Sequence, residues 1–330
     1  MALDDEARIA ALAERAPCNP FLTLAYLKAM RGQGAEPWVL AADDEQDAIS
    51  PVLVYRGRLN TEVYVLSTPG GPAGSSFWPV LWAWLRRQRV TWLHLQSFAA
   101  EHDWPAEALL GTSGEPPAAT ARCGAREPRT EFVLDLQGAK MRDPTRRVAG
   151  YTSNHRRKLR RAMTAGLRVV RRADRHACET HAALMNRSAQ RRSLRGDASA
   201  RGARLDYRGE EIAGFVTEGA GCLYQALLDG DTALASVLVL RSSAGGYYQS
   251  AGASPEGLAN GAPVMLVDAI AQALQADGSR RLNLGGATDA EPGLLRFKQG
   301  FGAATVPLCS VSCDLRASWQ RVLERLLTRR

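Results

Sequence analysis

Residues 292–302 read Pro-Gly-Leu-Leu-Arg-Phe-Lys-Gln-Gly-Phe-Gly, the pattern in this chain best suited to chemistry. Lys298 stands between two aromatic residues, Phe297 and Phe301, and Gly300 and Gly302 let the backbone turn closely. Thirteen residues before the lysine, Gly285-Gly286 ends the strand-like run Arg281-Leu-Asn-Leu284. A strand, a glycine turn and a short helix ending in an aromatic-flanked cation make a site for an anionic ligand, or for negative charge that develops during a reaction. A lysine solvated at the end of an amphipathic helix has the same residue types, and burial separates the two.

The other cations are clustered. Net charge is +8, and between Thr145 and Ala173 there are ten Arg or Lys and no Asp or Glu. A second basic run holds Arg187, Arg191, Arg192, Arg195, Arg201 and Arg204. Such blocks bind polyanions such as RNA, nucleotide diphosphates or acidic headgroups; a merely soluble basic face is the alternative. Remaining constellations are poor. Glu101-His102-Asp103 are adjacent and cannot face one another as a triad, and no Gly-x-Ser-x-Gly, Walker loop or His-Glu-x-x-His occurs. The six cysteines form no Cys-x-x-Cys and lack histidines at zinc spacing, so no metal is expected. They read as core residues, with Cys309 and Cys313 on one strand face and no disulfide framework needed. No apolar run approaches the roughly 18–20 residues of a membrane span, so no transmembrane segment is expected. The start, Met-Ala-Leu-Asp-Asp-Glu, is acidic and without an apolar signal core, and a cytoplasmic location is expected.

The elements that must position Lys298 read as mixed α/β. In the first half, a helix over 22–30 follows the Asn19-Pro20 breaker, and strands fall at 38–41, 49–55 and 62–67. Helix 77–88 places Val80, Leu81, Trp84 and Leu85 at helical spacing. Strand 90–96, a short helix 104–110, a loop 111–124 and strand 131–136 follow, and 137–150 is a connection. In the second half, Thr152-Ser153-Asn154 caps a basic helix that Gly166 ends. Then come strand 167–170, helices 174–191 and 207–218, and a meander of strands 222–228, 233–240 and 246–251 turning at Asp229-Gly230 and Gly245-Gly246. Helix 262–275, strand 281–284, the short Lys298 helix, strand 305–312 and a basic helix 317–328 complete the chain.

This order, with the Lys298 stretch, resembles the Fem-type aminoacyl transferases, aminoacyl-tRNA-dependent members of the GNAT superfamily. Phe297-Lys298 to Phe301-Gly302 is similar to their Phe-Lys-x-x-Phe-Gly signature. Ser153-Asn-His-Arg-Arg-Lys-Leu-Arg-Arg resembles the helix opening their second domain, and Tyr224 through Leu240 their central hairpin. Asn19-Pro-Phe21, Gly71-Pro72 and Phe132-Val-Leu-Asp-Leu136 are weaker matches. The resemblance implies two tandem GNAT-like domains: a degenerate one over 1–145, and a catalytic one over 146–330 with a C-terminal basic helix. A long coiled-coil arm is not expected, because the 187–207 loop is short and carries Gly196 and Gly202.

The resemblance implies an activity: transfer of an aminoacyl group from aminoacyl-tRNA to an amine, with no cofactor. Lys298 matches the family's lysine near the tRNA 3′ end, and Phe297 its neighbouring aromatic. Arg156, Arg157, Lys158, Arg160 and Arg161 are expected to neutralise acceptor-stem phosphates. Lys28, Arg191, Arg192, Tyr248, Gly285 and Gly286 are expected at the substrate, an amine-bearing small molecule, peptide or cell-wall precursor. Strand Leu93-His-Leu-Gln-Ser97 lacks the family's carboxylate, which weakens the cell-wall acceptor and leaves natural-product pathways open. Two other readings stay open. One is an acyl-CoA-dependent N-acyltransferase. Against it, Leu258-Ala-Asn-Gly261-Ala-Pro263 lacks a leading cation, and Pro263 removes one backbone donor from the expected pyrophosphate cradle. The other is a non-catalytic protein of this fold in exopolysaccharide assembly.

Overall fold

A computed structural model describes residues 5–41, 49–66, 77–96, 98, 122–124, 127–195 and 204–316. The expected helices at 104–110 and 317–328 and the loop 111–124 lie wholly or largely outside these residues. The chain divides into two compact units. One comprises Met1–Ala16, Met30–Arg129 and Leu308–Arg330, the other Pro17–Ala29 and Thr130–Pro307.

In the first half of the chain lie α1 (Glu6–Arg15), a 3₁₀ turn Pro20–Leu22, α2 (Leu24–Gly32), β1 (Glu36–Ala41), β2 (Ile49–Arg56), β3 (Thr61–Val65), α3 (Phe77–Arg87), β4 (Trp92–Gln96), β5 (Arg122–Cys123) and β6 (Glu127–Asp135). The second half holds α4 (Ala139–Arg142), α5 (Pro144–Ala149), α6 (Ser153–Thr164), β7 (Arg168–Arg172), α7 (Arg175–Leu194), α8 (Gly209–Thr217), β8 (Gly221–Leu228), β9 (Thr232–Arg241), β10 (Gly245–Ala253), α9 (Pro255–Ala259), α10 (Ala262–Ala276), β11 (Arg281–Ala287), α11 (Pro292–Gln299) and β12 (Ala304–Asp314).

In the first unit the strands run β1-β2-β3-β4-β12, with β5 on β12. β3 and β4 pair in parallel, and the other pairings among these described strands are antiparallel. The helical spacing on α3 puts Phe77, Leu81, Trp84 and Leu85 against Val52, Val54, Val63, Val65, Leu93 and Leu95 from alternate strand positions. Cys313 is buried in this cluster and is disulfide-bonded, which corrects the expectation that no cysteine is cross-linked. Cys18, Cys178 and Cys222 are buried and not disulfide-bonded.

In the second unit the order is β6-β11-β10-β9-β8-β7. Alternation assigns two faces. Val237 and Val239 of β9 join the apolar cluster that contains Leu159 of α6 and Leu266, Ile270 and Leu274 of α10. Ser236, one residue earlier and on the opposite face, meets His181 of α7 instead. The meander turns where expected, and Asp229 and Gly230 both take positive φ, as a tight right-twisted hairpin requires. Gly166 takes φ +74, and bonds from Gly166 N to Met163 O and Leu167 N to Ala162 O close α6. At the other end of α6 the cap residue Thr152 makes no side-chain cap bond; its amide donates to Gly300 O instead, at 2.9 Å. Residues 137–150 form α4 and α5 rather than a plain connection, and Asp143 caps α5 through the amides of Thr145 and Arg146.

Candidate functional site

Three features of the second unit assemble a site around Lys298. The first is a separation of strands. β10 and β11 pair in parallel only from Gly245–Tyr247 to Arg281–Asn283; beyond that vertex the pairing stops while both strands continue. The second is a bulge just past the vertex. The register of β11 on β6 shifts between Asn283 and Gly286, and Gly285 sits at φ +77, in the left-handed region that glycine tolerates without penalty. The third is α11, whose Lys298 is only 5% exposed and donates from Nζ to Gly286 O at 2.7 Å. The solvated-lysine alternative therefore does not hold. A buried ammonium must be held by oxygen acceptors, and this one is tied to the bulge itself.

Groups converge on Gly285. A Cβ there would lie 3.3 Å from the Tyr247 hydroxyl, 3.5 Å from Lys298 Nζ and 3.5 Å from Tyr248 O. Tyr247, rather than Tyr248, thus turns its hydroxyl toward the bulge. Tyr248 contributes its carbonyl, its ring packs on the apolar cluster, and burial pushes its phenol up. Tyr247 packs edge-on against Phe21, with ring centroids 4.9 Å apart, which anchors this side of the vertex to the Pro20–Leu22 turn.

The signature residues are locked from α6. His155 is 3% exposed and its Nε2 donates to Phe297 O at 2.9 Å, so Nδ1 carries the lone pair and has no hydrogen-bond partner. Desolvation lowers the His155 pKa and keeps the ring neutral. The ring lies edge-on to Phe301 at 4.5 Å and against Gly300, where any Cβ would come within 2.4–2.7 Å of three ring atoms. This is the reason position 300 is glycine. Phe297 is half-buried, edge-on to Phe301 at 5.2 Å. Behind them Asp268 of α10 accepts from Tyr151 Oη at 2.8 Å, Arg147 Nε at 2.9 Å and Gln272 Nε2 at 2.6 Å. Burial, with the Asp268 charge, pushes the Tyr151 phenol up and holds its proton in that bond. Tyr151 in turn packs edge-on against Phe301.

The remaining expected residues fall in several places. Arg157 and Arg160 are exposed on α6, and Lys158 is half-buried. Arg156 is instead tied to Ala149 O and Tyr151 O, and Arg161 to Ala259 O at 2.9 Å. Arg191 of α7 donates to Ala253 O at 3.0 Å, a structural bond, whereas Arg192 is exposed. Lys28 is half-buried on the part of α2 that belongs to the second unit.

The expected pyrophosphate cradle at the start of α10 is short of backbone donors, since Pro263 has none. Gly261 caps α10 at φ +79, and its Cβ position lies 2.4 Å from Lys158 O. The backbone of α6 packs against Gly261, and the amides of Val264 and Met265 donate to Gly261 O at 3.0 and 3.2 Å. Among the described residues no cluster could hold a metal ion, and no described helix is long and apolar enough to cross a membrane.

Residues 149–299 match the family model for the acetyltransferase (GNAT) domain. No curated protein matches the chain. Several solved structures are alike in fold, among them the following three. FemX superposes with a TM-score of 0.68 at 12% identity, covering 92% of this chain and 95% of that one. A tandem GNAT protein from the clavulanic acid biosynthesis pathway gives 0.55 at 14%, with 95% and 96% covered. L-PGS from Bacillus licheniformis gives 0.54 at 13%, with 98% and 96% covered. The fold is that of two tandem GNAT-like domains, and Lys298 lies within the stretch that matches the acetyltransferase (GNAT) domain.

Proposed function

We propose that this protein moves an aminoacyl group from aminoacyl-tRNA to an amine-bearing small molecule, peptide or cell-wall precursor, forming an amide bond. The observation that carries the reading is Lys298: a buried cation tied to the bulge beyond the point where β10 and β11 part. An aminoacyl ester is already activated, so the protein has to align the reactants and stabilise the oxyanion formed when the amine attacks. Lys298 supplies that stabilisation. The attacking nitrogen loses a proton and the leaving ribose oxygen gains one, so the step balances without a cofactor. Phe297, half-exposed beside the lysine, offers a ring for the terminal adenine, a contact typically worth about 1–3 kcal/mol. The missing N–H of Pro263 and the amides of Val264 and Met265 already bonded to Gly261 O further support a donor other than coenzyme A.

The family match over residues 149–299 favours a second reading, an acyl-CoA-dependent N-acyltransferase of the same fold. One assay separates them. Purified protein is mixed with pooled radiolabelled aminoacyl-tRNAs and small-molecule extract, with and without RNase, beside Lys298→Ala and a parallel reaction with labelled acetyl-CoA. The expected result is transfer from one tRNA species, abolished by RNase and lowered about 10²–10³-fold by the substitution, the usual loss for an oxyanion donor. Consumption of acetyl-CoA with silence from every tRNA would replace this reading by the second.

A further inference from the structure

The apolar contacts account for Phe297 and Phe301, but not for two buried polar residues beside the bulge. Glu131 on β6 is 1% exposed and Asn283 on β11 is 3% exposed. Asn283 Nδ2 donates to Glu131 Oε2 at 2.8 Å, and Asn283 Oδ1 accepts from Gly285 N at 2.7 Å. Glu131 is also the cross-strand partner of Gly286, whose carbonyl receives Lys298. One connected path therefore runs from the Glu131 carboxylate through the Asn283 amide to the Gly285 N–H, and across Gly286 O to the Lys298 ammonium.

A carboxylate in this position is costly on stability grounds alone, since a packed apolar side chain serves a sheet interior as well or better. The left-handed turn at Gly285 also needs a partner for its amide, because the bulge removes that amide from the β-ladder. Asn283 meets this need with its oxygen, and its NH₂ group then requires an acceptor of its own. Glu131 is that acceptor, and it fixes which way the Asn283 amide points.

We infer that Glu131 and Asn283 are positioning residues that hold the Gly285-Gly286 bulge, and through it set the place of Lys298. Neither needs to touch a substrate. The inference rests on Lys298 being the acting group of the proposed function, so its test includes a measurement that does not depend on the identity of the donor. Labelling of Lys298 by trinitrobenzenesulfonate, followed by mass spectrometry of its peptide, reports how firmly the ammonium is held. Glu131→Gln keeps one oxygen acceptor for Asn283 and replaces the other oxygen by an NH₂ group, whereas Glu131→Ala and Asn283→Ala break the path.

The expected result is slow labelling in the parent protein and in Glu131→Gln, and labelling several-fold faster in both alanine variants. In the transfer assay the alanine variants should lose about 10²-fold in kcat with KM little changed, as for a displaced catalytic group, and Glu131→Gln should recover most of it. Equal labelling in all four folded proteins would overturn the inference, as would a Glu131→Gln that behaves like Glu131→Ala. If the alanine variants do not fold, hydrogen exchange in the parent protein decides. The Gly285 amide should be protected by its bond to Asn283, and fast exchange there would overturn the inference. A labelling pattern as expected without tRNA-dependent transfer would instead remove the proposed donor and leave the strut in place.

Discussion

Lys298 acts only if the last turn of α11 is held still, and a single neighbour does much of that. His155 bonds Phe297 O and lies against Gly300, whose φ of −60 is open to any residue. Glycine is therefore required at 300 by crowding and not by backbone strain. Gly300→Ala would push a methyl into the imidazole and should cost about 1–3 kcal/mol, the usual range for overpacking. Denaturant unfolding of Gly300→Ala, His155→Ala and the double variant checks the cause. The double variant should lose clearly less than the sum of the singles, because removing the ring frees the space. Additive losses would place the strain elsewhere. At this scale the sequence was partly legible. Lys298 between aromatics and the glycines after it are a local pattern, readable from neighbours in the chain. Glu131 and Asn283 are 152 residues apart, and Tyr247 is distinguished from Tyr248 only by the local strand geometry. No spacing rule joins such residues, since register and bulges decide which ones meet.

At the scale of elements, α7 is fastened to the sheet by a polar bond inside an apolar layer. His181 is fully buried, with Nδ1 2.9 Å from Ser236 Oγ on β9 and Nε2 2.9 Å from Ser250 Oγ on β10. A neutral ring serves both serines, accepting at one nitrogen and donating at the other. Burial lowers its pKa from the ordinary value near 6.5 to about 4. The native state thus resists protonation while the unfolded chain takes a proton freely. This contribution is whole above about pH 6.5 and declines as the pH falls toward 4, a loss of about 3 kcal/mol in all. Unfolding free energies measured from pH 7.5 to 4.5 should show this decline, and His181→Gln should flatten it. Some slope will remain, because burial lowers the pKa of His94 and His155 in the same direction. A variant with the parent's slope would show that His181 is not responsible. Elements closed by local chemistry, such as the Asp229-Gly230 hairpin and the Gly166 stop, were legible beforehand. The attachment of Pro17–Ala29 to the second unit was not, because tertiary contact decides it, whereas helix α1 carried a readable Asp5 cap and the Ile9, Leu12 spacing and was missed.

At the scale of the whole molecule, the number of arginines and lysines in the two basic runs overstates the cations left for a polyanion. Arg147 is buried against Asp268, Arg168 and Arg172 pair with Asp231, and Arg156, Arg161 and Arg191 hold main-chain carbonyls. Arg157, Arg160 and Arg192 are exposed. These two groups should behave differently in a binding experiment. Each phosphate neutralised by an exposed cation releases counterion, so log K falls with log salt by somewhat under one unit per contact. Filter binding of tRNA from about 50 to 200 mM salt measures that slope. Arg157→Ala with Arg160→Ala should reduce it by roughly one to two units in total and leave the melting temperature nearly unchanged. Arg156→Ala and Arg191→Ala should do the reverse: a lower melting temperature from the lost carbonyl caps and a slope close to that of the parent. Equal slopes in the Arg157/Arg160 double variant and the parent would move the tRNA off α6. Loss of slope in Arg191→Ala without loss of stability would mean that its bond to Ala253 is exchanged for a phosphate when RNA binds.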